Sequence, residues 1–189
     1  MEELDLNELY LKLSTQIEQA YNDVRNEIAI FNFDENETAF IDDIALSFTT
    51  SKDDELALAF ADFNNGNINF CLYTAFNRSF KYTAIHEFAH HIAKHYLSVS
   101  GHTLEFAIIN YCLESKVFGK SGDYFRSYDI HEDTAYQFIS LNPSSLDSLV
   151  NNISFSTLKE LSQKASTLAR KIREKAIPYG LAKLQEIEE

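Results

Sequence analysis

Between residues 4 and 30, Leu6, Leu9, Leu13, Ile17, Ala20, Val24 and Ile28 recur every three or four positions, with mostly polar residues between them. That rhythm places one apolar stripe along a helix and predicts a long amphipathic helix at the N-terminus. The stripe suits core packing. It also offers a face for a protein partner or for dimerisation.

The period then changes. Ala39-Phe40-Ile41 and Ile44-Ala45-Leu46-Ser47-Phe48-Thr49 read as strands, rich in apolar and β-branched residues. Segments 55–62 and 67–74 flank Phe63-Asn64-Asn65-Gly66, a hairpin signal. A small antiparallel or mixed sheet of three to four strands is expected.

The helical period returns with Ile85, Phe88, Ala89, Ile92, Ala93 and Tyr96, after Asn77 or Ser79 as a cap. Ser98-Val99-Ser100-Gly101 reads as the loop that ends this helix. Residues 103–117 are apolar on most sides, which predicts a buried helix. A loop at 119–123 follows, then a short helix near 131–140 that stops before Asn142-Pro143. Leu158, Leu161, Ala165, Leu168 and Ile172 mark a last helix over 156–175, with Pro178 and Gly180 interrupting it. Sheet before helices in one chain of 189 residues gives an α+β fold in a single domain, residues 1–189, with helices 4–30 and 156–175 as extensions.

Composition narrows the partners. Apolar residues make up 45%, enough for a real core. The formal net charge of −13 repels phosphate backbones, so direct nucleic-acid binding is not expected, and a protein or peptide substrate suits the field better. Met1-Glu2-Glu3-Leu4-Asp5 carries no basic n-region, and no window reaches membrane-span length, so a cytoplasmic protein with no membrane contact is expected. Cys71 and Cys112 form no CxxC pair and are read as buried free thiols.

The chemistry lies on the helix around residue 88. His86-Glu87-Phe88-Ala89-His90 places two imidazoles four apart, on one helix face, with a carboxylate between them. The apolar stripe is centred roughly a quarter-turn away at about 100° per residue, so the helix can pack on a core and still present both rings to a cleft. Two such ligands suit Zn2+, and Glu87 stands where a general base for water belongs. His91 and His95 are also four apart, but Ile92 follows His91 where the carboxylate would be needed. That pair is read as surface or supporting residues. A catalytic zinc takes three protein ligands and leaves one position open. Candidates for the third are His102, Glu105, Glu114 and Glu132. An acidic residue in a first helical turn, as at Glu132, also suits the helix dipole without any metal.

HEFAHHIAKHYLSVSGHTLEF resembles the core of SprT-like zincin metallopeptidases, in which HExxH is followed by a short loop and a third His with Phe four positions on. His102 and Phe106 keep that spacing; Thr103 stands where the family usually has Gly. The resemblance covers roughly residues 65–119. It implies a zincin-like fold with 67–74 as the edge strand that takes an extended substrate, zinc on His86, His90 and His102, Glu87 as base, and zinc-dependent cleavage of peptide bonds. A weaker resemblance joins Glu132-Asp133-Thr134-Ala135-Tyr136-Gln137-Phe138, with Pro143 beyond, to ImmA/IrrE-like metallopeptidases. It implies Glu132 as the alternative third ligand and a repressor as substrate. Tyr124, Arg126 and Tyr128 are candidate donors to the oxyanion that peptide hydrolysis forms. The rival outcome is a zincin-like regulatory or interaction module that holds zinc without proteolysis.

Overall fold

The computed structural model describes residues 6–29, 35–50, 58–72, 79–119, 131–133, 135, 150 and 152–188. They fall into two compact units, residues 1–91 and residues 92–189. The architecture is α+β, with five helices and one three-stranded mixed sheet among the described residues.

In the first unit, α1 (Leu6–Ala29) buries Leu13, Ile17, Ala20, Tyr21, Val24 and Ile28, the middle and end of the expected stripe. Leu6 and Leu11, at its start, stay exposed. The next element is a helix, α2 (Glu35–Asp42), and it corrects the strand expected at Ala39-Phe40-Ile41. Three apolar residues are too few to separate a period of two from one of 3.6. Glu35 and Glu37, in the first turn, favour the helical alternative through its dipole.

Strands β1 (Ala45–Thr49), β2 (Ala59–Asp62) and β3 (Asn67–Cys71) form the sheet in the order β1-β3-β2. β1 runs parallel to β3 from Ala45 opposite Asn67 to Thr49 opposite Cys71. β2 and β3 make the expected hairpin, antiparallel, with Asp62 opposite Asn67. Its turn is built by side-chain chemistry. The Asp62 carboxylate accepts the backbone N–H groups of Asn64 and Asn65 at 3.0 and 3.2 Å, and Gly66 supplies the left-handed φ of 65°. β3 is therefore the central strand, paired on both sides, and not the edge that 67–74 was expected to be. Among the described residues, the edge positions belong to β1 and β2. Continuous apolar residues in β3, with Ile68, Phe70 and Cys71 all buried, are the mark of a central strand.

Helix α3 (Phe80–Leu97) follows the sheet. Ile85, Phe88, Ala89, Ile92 and Ala93 are almost wholly buried, as the stripe requires. Within the first unit, Phe88 stacks on Tyr21 of α1 with ring centroids 5.3 Å apart, and Lys81 pairs with Asp23 at 2.6 Å. The Tyr21 hydroxyl donates to the Ile44 carbonyl ahead of β1. His91 is buried and contacts the Asn67 carbonyl at 2.9 Å through Nε2. One ring thus ties α3 to the start of β3. His95, by contrast, is exposed.

In the second unit, α4 (Leu104–Phe118) is buried from Leu104 to Glu114 without a break, as its apolar composition requires. Each large side chain among these contributes roughly 1.5–3 kcal/mol on burial. Helix α5 (Leu158–Glu188) packs against α4 and buries Leu158, Leu161, Ala165, Ala169 and Ile172. It continues through Pro178 and Gly180, beyond the expected end at 175. A proline removes one helical N–H bond, and the good helix formers Leu181, Ala182, Lys183, Leu184 and Gln185 carry the helix on. No described helix is long and apolar enough to cross a membrane.

Candidate metal centre

Helix α3 sets His86 and His90 one turn apart, with ring centroids 4.9 Å apart and planes at 79°. His90 is buried and His86 half-buried, so the pair is held by packing on its inner side. After Leu97 the chain leaves the helix through Ser98, at a left-handed φ of 57°, and Gly101, at φ 88°. Thr103 then adopts an extended conformation, φ −101° and ψ 172°, as the cap of α4. Any residue can take that conformation, so the position does not demand the Gly that the SprT-like pattern usually has there. His102 sits between these turns, its ring edge-on to Phe106 at 5.2 Å.

His86 and His90 each offer a ring nitrogen from one turn of α3, and His102 offers one from the turn ahead of α4. Three neutral imidazoles are a donor set that zinc accepts.

Glu87 points elsewhere than to solvent. It is only 5% exposed, and burial pushes its carboxyl up to about 8, against the pull of a backbone N–H donated by Ala61 on β2. A dication beside it acts in the opposite direction and favours the carboxylate. His102 is held below the ordinary imidazole value by burial and by His131, against the pull of Glu132. His91 is likewise lowered by burial, against the pull of its Asn67 contact and of Asp62.

The other expected ligands go to different partners. Glu105 is bound by Arg173 of α5, whose two terminal nitrogens reach its oxygens at 2.6 and 2.5 Å. Glu114 is buried and accepts from Asn110 at 3.0 Å. Glu132 lies beside His102, accepting its backbone N–H at 3.1 Å, and groups with His102 and His131 as possible metal donors. Tyr124, Arg126 and Tyr128, and most of the helix expected at 131–140, lie outside the described residues. Two participants had no clear signal in the sequence. His131 stands in a turn without periodicity, and the Ala61 N–H is backbone. Both depend on tertiary contacts.

Cys71 and Cys112 are buried thiols outside any disulfide, as expected, and burial pushes the Cys112 thiol up to about 12. Such a thiol is inert as a nucleophile at neutral pH. No family model, curated protein or solved structure matches this chain.

Proposed function

We propose that this protein is a zinc-dependent metallopeptidase with a zincin-like fold, holding its metal on His86, His90 and His102. The observation that carries the reading is the pair of imidazoles one turn apart on α3, with ring centroids 4.9 Å apart and Glu87 between them in sequence. When bound, zinc supplies Lewis acidity to a peptide carbonyl and makes water a stronger acid. The chain's residues do the rest. Helix α3 fixes the spacing of His86 and His90. Glu87, once ionised, accepts a proton from the attacking water and delivers it to the leaving amine. The buried surroundings of Glu87 strengthen its interaction with charge that develops beside it.

A zinc-holding module without proteolysis is the second reading. The burial of Glu87 and its bond from Ala61 favour it, since both restrain the base. One experiment separates the two. Zinc content and cleavage of an unstructured protein such as casein are measured for the parent and for Glu87→Gln. The peptidase reading expects equal zinc and a loss of turnover of at least ~100-fold in the variant. A parent that holds zinc and cleaves no faster than the variant establishes the second reading instead.

A further inference from the structure

We infer that His102, His131 and Glu132 form a second cation site, selective for first-row transition dications, built wholly within the second unit. Each residue offers one donor atom, and the three atoms lie within 4.8 Å of one another. The rings of His102 and His131 stand 4.8 Å apart at 36°, and Glu132 Oε1 is 3.8 Å from His102 Nδ1 and 3.6 Å from His131 Nε2. Two imidazoles and one carboxylate suit Zn2+, Co2+ or Ni2+. Mg2+ and Ca2+ prefer all-oxygen shells. Side-chain exposures of 40% for His131 and 48% for Glu132 leave room for water to complete the shell.

The donors are placed without help from an ion. His102 and Glu132 bind each other twice: the Glu132 N–H donates to the His102 carbonyl at 3.2 Å, and the His102 N–H donates to Glu132 Oε2 at 3.1 Å. The absence of a side chain at Gly101 admits this carboxylate, since a Cβ there would collide with Glu132 Oε2. Asp133 anchors the next residue. It accepts from Leu104 N–H at 3.0 Å and Ala135 N–H at 2.8 Å, and pairs with Arg173 at 2.5 Å. A preorganised donor set of this kind binds a metal with little ordering cost.

The test uses the full chain with His86→Ala and His90→Ala, which removes the helical ligands and leaves the second set. Metal-stripped protein is titrated with Co2+, followed by calorimetry and by the visible absorption of the bound ion. One equivalent is expected to bind, with millimolar Mg2+ unable to displace it. Adding His131→Ala and Glu132→Gln is expected to weaken binding by at least tenfold. No Co2+ binding in the first variant, or unchanged affinity in the second, overturns the inference. Should the multiple variants fail to fold by circular dichroism, the parent itself decides. Diamagnetic Zn2+ must shift a His131 ring nitrogen resonance in a 15N spectrum as direct coordination does, and an unshifted resonance overturns the site. None of these measurements reads turnover, so their failure leaves the peptidase reading standing, and the failure of that reading leaves this site standing.

Discussion

At the scale of single residues, buried carboxyl groups behave differently according to their partners. Glu87 has burial and one backbone donor, which leaves its carboxyl raised. Burial pushes Asp133 upward as well, but Arg173 and the N–H groups of Ala135 and Leu104 outweigh it, and its pKa falls below the usual aspartate value. Such a depressed group contributes stability that is full above its ordinary pKa and lost as pH falls through the folded one. Asp133→Ala is therefore expected to cost about 3 kcal/mol at pH 7, by leaving Arg173 short of a partner and the α4 start uncapped. The gap between parent and variant should narrow on acidification below about pH 4. Urea unfolding at a series of pH values measures both. Parallel curves at every pH would show that Asp133 does not carry this term.

At the scale of elements, Gly101 shows how a turn sets up chemistry. Its φ of 88° is left-handed, and its missing Cβ makes room for Glu132. Gly101→Ala is expected to destabilise the fold by roughly 1–2 kcal/mol through backbone strain alone, with more from displacing the carboxylate. Thermal unfolding checks the first effect. Loss of the His102–Glu132 contact in amide exchange at His102 checks the second.

How legible each element was in the sequence follows from the range of the forces that make it. Helices α1, α3 and α4 and the β2–β3 hairpin rest on local periodicity and turn chemistry, and their residues announced them. The strand expected at Ala39-Phe40-Ile41 failed because so short a run carries no period. The edge assigned to 67–74 failed because strand order depends on pairing with β1, which lies outside the hairpin. At the candidate site, the spacing of His86, Glu87 and His90 was legible because one helix turn fixes it. The coupling of His102 to Glu132 spans 30 residues, and nothing in either segment alone points to the other.

For the whole molecule, charge is the property that decides partners. A formal net charge of −13 is expected to repel nucleic acid. Electrophoretic shift assays at physiological salt are expected to show no retention of duplex DNA, and micromolar retention would contradict the electrostatic argument. The partner-facing surface proposed for α1 would use Leu6 and Leu11, which are exposed. The proposed zinc would lie on α3 and the turn after it. Anomalous diffraction at the zinc edge, from crystals of zinc-loaded protein, tests it most directly. The account predicts a peak about 2.1 Å from a ring nitrogen of each of His86, His90 and His102. A zinc-replete crystal with no peak at those three nitrogens would contradict it.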